Sequence, residues 1–167
     1  GLCLVTGKIL NLAEQHPAKL RHGADKAKFI SSNDTNGFTF RGRFIDASQA
    51  CGVGFEVTQK AHNALRWLIT RQAYQNGDQA IVAWAVSGKR IPDPFANSFD
   101  LFGIVSEEPE AKQNHVDPSD AGQAFSQRLA KKLAGYRVEI GSAKEVVVMG
   151  LDSATPGRMA ITYYREL

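Results

Sequence analysis

The sequence has few cysteines and no long apolar run, and both shortages exclude classes of protein. Cys3 and Cys51 are the only cysteines among 167 residues. Two thiols without CxxC spacing predict reduced core residues rather than a disulfide framework, which fits a cytoplasmic protein. No run of about eighteen apolar residues occurs, and the first residues lack the pattern of a signal peptide. We therefore expect a cytoplasmic protein with no membrane partner.

Catalytic and metal-binding motifs are also missing. The four histidines show no HxH, HExxH or HxxxH spacing, and neither cysteine lies near one of them. The phosphate-binding GxxxxGKS/T, the dinucleotide-binding GxGxxG and the nucleophile motif GxSxG do not occur. The spacing of the aspartates is typical of solvated turns. The sequence therefore predicts no catalytic residue, no metal site and no cofactor, and a protein that is not an enzyme.

What is present describes an ordinary globular protein. Hydrophobic residues make up 43% and charged residues 22% of the chain, and the length fits one domain. The chain starts at Gly1 without an initiator methionine and ends at Leu167 directly after a predicted strand. We expect residues 1–167 to form a single α+β domain, as a fragment of a longer protein.

Periodicity predicts two helices and several strands. The first helix spans about residues 58–75, with Thr58 as its N-cap, a stop at Asn76-Gly77, and a buried stripe. The second spans about residues 120–134. The stripe consists of Ala61, Ala64, Leu65, Leu68 and Ile69, and the second helix turns Ala121, Phe125, Leu129 and Leu133 inward. The predicted strands are residues 2–6, 27–31, 38–45, 79–86, 145–151 and 159–164.

Strands before, between and after two helices favour an α+β fold with a mixed, largely antiparallel sheet. If residues 99–105 also form a strand, residues 38–151 follow the β-α-β-β-α-β order of a ferredoxin-like fold in part.

The segment GFTFRGRF at residues 37–44 has the strongest pattern in the chain. As a strand it places Phe38, Phe40 and Phe44 on one face and Arg41 and Arg43 on the other. An aromatic face to bury and two guanidinium groups to present suit contact with phosphates or base edges. A half-buried strand with a solvated basic face explains the same pattern.

Charge is distributed unevenly along the chain. Residues 1–90 hold 12 Lys and Arg against 6 Asp and Glu, whereas residues 91–167 hold 8 against 11. A basic first half beside an acidic second half indicates a side that faces a polyanion, although ordinary surface variation also produces such a difference.

The outer face of the first helix carries two large aromatic side chains. At 100° per residue, Lys60, Asn63, Trp67, Arg71 and Tyr74 lie opposite the buried stripe. Exposed aromatics of this size are uncommon. Another part of the domain covers them, a partner protein docks on them, or nucleic-acid bases stack on them.

Several segments, in their order along the chain, resemble one known family, the large subunit of the type I-C CRISPR surveillance complex, Cascade. These segments are Cys3-Leu4-Val5-Thr6-Gly7, His16-Pro17, residues 23–28 (GADKAK), Ser32-Asn33-Asp34, residues 37–44 (GFTFRGRF), residues 59–71 (QKAHNALRWLITR), residues 76–85 (NGDQAIVAWA) and residues 151–166 (LDSATPGRMAITYYRE). They span nearly the whole chain. The family's proteins are several times longer, so the resemblance implies an interior fragment.

The resemblance implies a non-enzymatic role in antiviral defence. The large subunit in such complexes helps to recognise the protospacer-adjacent motif on duplex DNA, steadies the R-loop and helps to recruit a helicase–nuclease. The implied partners are target DNA with the guide RNA complex, other Cascade subunits and that helicase–nuclease.

Two functional hypotheses follow. The first is a nucleic-acid-binding structural module, with cations for phosphates and turn amides for groove contacts. Its candidate residues are Lys26, Lys28, Asn33, Asn36, Arg41, Arg43, Lys60 and Arg71. For the two asparagines, shaping of their own turn is an equally open role. The second hypothesis is a protein–protein docking module that uses Trp67, Tyr74 and the acidic segment 100–120.

Overall fold

The computed structural model describes residues 1–31, 51–93, 118–135, 146–155 and 157–167. Within them lie two helices and four strands. The helices are α1 (Phe55–Gln72) and α2 (Pro118–Gly135), and the strands are β1 (Tyr74–Asn76), β2 (Gln79–Ala85), β3 (Val146–Thr155) and β4 (Arg158–Glu166).

The four strands form one antiparallel sheet in the order β1-β2-β3-β4. This confirms the predicted α+β class with a largely antiparallel sheet. The strands predicted at residues 38–45 and 99–105 lie outside the described residues. The ferredoxin-like order therefore stays a prediction.

The chain divides into two compact units, each built from two stretches of sequence. The first unit comprises residues 1–80 and 151–160, and the second comprises residues 81–150 and 161–167. The organisation of residues 1–167 as a single domain remains a prediction.

The second unit is organised around a helix packed on strands. Every other residue of β2 points into one core, where Ile81 and Ala83 lie with Val146 and Val148 of β3. Phe125, Leu129 and Leu133 of α2 complete this core, and Leu129 is fully buried. The inward stripe predicted for α2 is therefore confirmed, because the i, i+4, i+8 spacing places these side chains on one helical face.

The predicted N-cap at Thr58 is wrong. Helix α1 begins three residues earlier at Phe55, with Gly54 as the N-cap and no side-chain cap. Thr58 lies inside the helix, buried, and its hydroxyl bonds to histidines instead of to backbone amides. A threonine satisfied by tertiary partners does not need the cap position.

The end of α1 also differs from the prediction. The helix stops at Gln72, Ala73 is extended, and Tyr74–Asn76 forms β1. Gly77 has a φ of 58° in the turn that leads into β2. Asn76-Gly77 is therefore a hairpin turn and not a helix stop, which is the commoner use of Asn-Gly between two strands.

The buried face of α1 is rotated from the predicted stripe. Ala61 and Ala64 are exposed, whereas Thr58 and His62 are buried together with Ile69. Hydrogen bonding allows these two polar side chains to be buried, and alanines contribute little apolar area.

The strands predicted at residues 2–6 and 27–31 are reduced to isolated bridges. Leu2 pairs with Ile9 around a turn, and Lys28 pairs with Arg158. The second of these bridges positions part of the candidate site.

Candidate nucleic-acid interface

The outer face of α1 presents the cationic and aromatic side chains that its sequence spacing predicts. Lys60, Asn63, Trp67 and Arg71 are all exposed. Trp67 keeps 57% of its surface accessible and Tyr74 keeps 40%. Tyr74 belongs to β1 and not to the helix. The prediction of an exposed outer face is confirmed.

Trp67 and Arg71 form a cation–π pair on this face. The guanidinium carbon of Arg71 lies 4.8 Å from the centre of the indole ring. The two residues are one helical turn apart, so their side chains meet on the surface. Such pairs contribute about 0.5–1 kcal/mol at exposed sites. The pair holds a guanidinium, which can donate to a phosphate, next to a ring on which a base can stack.

Lys60 is less available as a cation than its position indicates. Its ammonium nitrogen lies 3.4 Å from a carboxylate oxygen of Glu56, with both side chains about four-fifths exposed. Exposed pairs of this kind are weak and screened by salt, so Lys60 can exchange Glu56 for a phosphate. In the absence of a ligand, however, the two charges largely cancel.

Lys26 and Lys28 lie on the segment that precedes the bridge to β4. Lys26 is exposed and Lys28 is half-buried. The backbone of Lys28 is held on both sides, because its N–H donates to the carbonyl of Gly157 and its carbonyl accepts from the N–H of Met159, each at 3.0 Å.

Four of the predicted site residues cannot be placed. Asn33, Asn36, Arg41 and Arg43 lie outside the described residues, so their part in a nucleic-acid interface stays a prediction.

Arg21 is a buried residue near this surface for which the sequence analysis proposed no role. Its guanidinium bonds to both carboxylate oxygens of Asp25, at 2.8 and 3.0 Å, and to the hydroxyl of Ser153 at 3.0 Å. It also donates to the backbone carbonyl of Asp78. The hydrogen bonds from Arg21 lower the pKa of the Asp25 carboxyl, and the carboxylate raises the pKa of Arg21. The i, i+4 spacing of Arg21 and Asp25 was the signal available in the sequence.

Arg66 is a second such residue. Its guanidinium donates to the carbonyls of Lys19 at 2.9 Å and Ala18 at 2.8 Å. These bonds hold the segment around Lys19, which has a φ of 62°, against helix α1. Nothing in the sequence pairs Arg66 with residues almost fifty positions away.

Two buried histidines share a threonine behind the outer face of α1. Nδ1 of His16 lies 2.9 Å and Nδ1 of His62 lies 3.1 Å from the hydroxyl oxygen of Thr58. Burial is the main cause that lowers the pKa of both imidazoles. The prediction that His62 is a packed histidine at the edge of the core is confirmed.

Two classes of feature are not found in the part of the chain that the structure describes. No three His, Cys, Asp or Glu side chains in it are grouped closely enough to hold a metal ion. No helix in it has the length and apolar character needed to cross a membrane.

Comparison with known families identifies the chain. The model of the family described as CRISPR-associated protein (Cas_Csd1) matches residues 1–167, which is the whole sequence. The chain belongs to this family. None of the curated proteins matches the sequence significantly. Membership of the Cas_Csd1 family gives the protein a role in CRISPR defence and indicates that it works within a CRISPR complex.

Proposed function

We propose that this Cas_Csd1 protein is the large subunit of a type I-C surveillance complex and acts as its non-catalytic nucleic-acid-binding module. In this role it assists recognition of the protospacer-adjacent motif and stabilises the R-loop. Family membership supports a CRISPR role, and the segments that resemble the type I-C large subunit support the specific assignment.

One structural observation carries the nucleic-acid part of the proposal: Trp67 is exposed and paired with Arg71 at 4.8 Å. A ring and a guanidinium held together provide stacking and phosphate contact in one place, as single-strand binding surfaces do. Because every base has a π-face, such a contact tolerates sequence variation. This fits a complex in which guide pairing reads most of the target sequence.

The proposed division of labour leaves DNA cleavage to a separate helicase–nuclease. The sequence supplies positively charged and aromatic groups but no motif of a nucleophile or a metal site. The contribution of this protein is then positioning and charge neutralisation along the DNA backbone.

A protein-docking function for the same face is the second candidate. Around Trp67 on the helix surface lie the neutral residues Asn63, Ala64 and Thr70, and the charge of Lys60 is offset by Glu56. An exposed aromatic surrounded by neutral side chains is typical of the central residue of a protein interface. The occupant would then be another subunit or the helicase–nuclease.

Three substitutions at Trp67 separate the two functions. Trp67→Phe keeps an aromatic face, Trp67→Leu keeps apolar area without a ring, and Trp67→Ala removes both. Thr70→Ala on the same helix face is the matched control. Affinity for single-stranded DNA and incorporation into the assembled complex are measured for each variant.

If bases stack on Trp67, the Phe variant retains most of the affinity, whereas the Leu and Ala variants both weaken it by about 1–3 kcal/mol. Complex assembly is then unchanged in all variants. If the face docks a protein, Leu supports assembly nearly as well as Phe, Ala impairs it, and affinity for DNA does not change. The second pattern would contradict the nucleic-acid role of this face.

A further inference from the structure

Two positively charged side chains are held next to each other where the segment before residue 29 meets β4. Lys28 and Arg158 form a parallel bridge, fixed by the two backbone hydrogen bonds of Lys28 with Gly157 and Met159. Residues paired in this way lie side by side, and their side chains leave the same face of the sheet. Arg158 is exposed and Lys28 is half-buried. We call this pair the basic bridge.

Like charges placed directly opposite each other on neighbouring strands are unfavourable without a compensating anion. Three carboxylates of the same unit act instead on Arg21. Asp25 bonds to it directly, a carboxylate oxygen of Asp78 lies 4.0 Å from it, and the charge of Asp152 also raises its pKa. Among the described residues, no carboxylate lies within ion-pair distance of Lys28.

The position of Lys28 is also constrained on its inner side. Its positive charge contributes to the lowered pKa of the buried His16. His16 faces Thr58 and the neighbouring imidazole of His62, and no carboxylate contributes to the shift of its pKa. An anion that neutralises the basic bridge must therefore come from outside this part of the structure.

We propose that the basic bridge binds consecutive phosphates of a nucleic-acid backbone. The inference rests on the proposed nucleic-acid function and adds Arg158, a residue that the sequence analysis did not assign to the interface. Arg158 offers the planar, two-pronged donor geometry that matches a phosphate, and Lys28 adds a point charge beside it. Lys26, exposed two residues before Lys28, extends the same positive segment. The contact is made to phosphates and carries no base specificity.

The test is the salt dependence of binding, measured with duplex DNA and with single-stranded RNA. The double variant Lys28→Gln/Arg158→Gln removes two charges at the bridge. The control Lys8→Gln/Lys19→Gln removes two exposed lysine charges from elsewhere in the same unit. A charge-keeping double variant, Lys28→Arg/Arg158→Lys, reports on whether the bridge itself tolerates substitution.

For the Gln double variant at the bridge, the slope of log K against log salt becomes shallower by about one unit per lost phosphate contact. The control variant and the charge-keeping variant stay near the wild-type slope. A change with duplex DNA only assigns the bridge to target DNA, and a change with RNA only assigns it to the guide strand.

Three results overturn the proposal. Equal slopes in the bridge and control variants would mean that total charge and not position matters. Loss of binding in the charge-keeping variant equal to that in the Gln variant would show a structural defect. If the wild-type protein binds and the bridge variant keeps its slope, the inference alone fails, whereas absence of any binding by the wild-type protein refutes the proposed function as well.

Discussion

At the scale of single residues, Thr58 determines the protonation pattern of two imidazoles. Nδ1 of His62 lies 2.8 Å from the backbone carbonyl of Thr58, which can only accept a hydrogen bond. His62 therefore carries its proton on Nδ1. The hydroxyl of Thr58 then accepts from His62 and donates to Nδ1 of His16, which places the proton of His16 on Nε2. Both rings are neutral in this arrangement.

The neutral histidine pair predicts acid sensitivity of the fold. Burial lowers the pKa of His16 and His62 below the ordinary 6.5, so the unfolded chain takes up protons at a higher pH than the folded protein. The stability that depends on neutral imidazoles is present above about pH 6.5 and is lost as the pH falls below it. The loss reaches at most about 1.4 kcal/mol per pH unit for each proton.

Urea denaturation between about pH 5 and 8 measures this effect. We expect the double variant His16→Gln/His62→Gln to show a flatter pH profile than the wild type below pH about 6.5. The control His22→Gln, at an exposed position, should keep the wild-type profile. An identical slope in the wild type and the double variant would show that other groups cause the acid response.

The histidine pair also shows what a sequence can and cannot provide at this scale. The helical periodicity placed His62 at the edge of the buried stripe, and the structure buries it. Thr58 was misplaced as a cap because its partner His16 lies 42 positions away. Local patterns contain no information about such a contact, and hydrogen-bonding partners decide whether a polar side chain is buried.

At the scale of elements, the close approach of α2 to β4 depends on a glycine. A Cβ added to Gly122 would lie 2.6 Å from Cγ of Tyr163. That ring carbon cannot move away alone, because Tyr163 packs against the core of the second unit. We expect Gly122→Ala to destabilise the protein by about 1–3 kcal/mol, although alanine is the better helix former.

A second substitution checks the cause of the Gly122→Ala effect. Combining it with Tyr163→Ala should recover part of the lost stability, because the clash disappears with the ring. Thermal unfolding of the two single variants and the double variant gives the coupling energy. Strictly additive effects would contradict the steric explanation.

The elements themselves were largely predictable, and the errors have physical causes. Helix α2 and strand β2 were placed within two residues because long periodic or apolar segments give strong signals. The end of α1 was misread because Asn76-Gly77 is compatible with both a helix stop and a hairpin. Counting around the helix predicted the exposed face with Trp67 and Arg71, since this needs only local geometry.

At the scale of the whole molecule, Arg21 joins segments that are far apart in sequence. Its guanidinium reaches Asp25, the turn before β2 and Ser153 in β3. We expect Arg21→Ala to cost about 3–5 kcal/mol, because the buried Asp25 carboxylate loses its partner. Arg71→Ala, at an exposed position, serves as a control and should change stability by about 0.5 kcal/mol or less beyond the lost cation–π contact.

Equilibrium unfolding in urea distinguishes these values. A double variant, Arg21→Ala/Asp25→Ala, should recover some stability relative to Arg21→Ala, since it removes the charge left behind. If Arg21→Ala is as stable as Arg71→Ala, the ion pair is not a major contributor to stability.

The proposed absence of catalysis is also a property of the whole molecule. We expect the purified protein to leave duplex and single-stranded DNA intact in the presence of Mg²⁺ or Mn²⁺, because its proposed contacts bind phosphates without activating a nucleophile. Gel electrophoresis after incubation, with an added nuclease as the positive control, provides the measurement. Cleavage that disappears when an Asp, Glu or His of this chain is substituted would overturn the proposal.

The discontinuous build of the two units has a consequence for synthesis on the ribosome. The first unit needs residues 151–160 and the second needs residues 161–167, so each contains a late stretch of the chain. Arg21 leaves the ribosome 132 residues before Ser153, its partner in β3. Neither unit can complete itself while the chain grows, and the early apolar segments wait for their partners. The nascent protein is therefore expected to depend on chaperones until the hairpin of β3 and β4 has emerged.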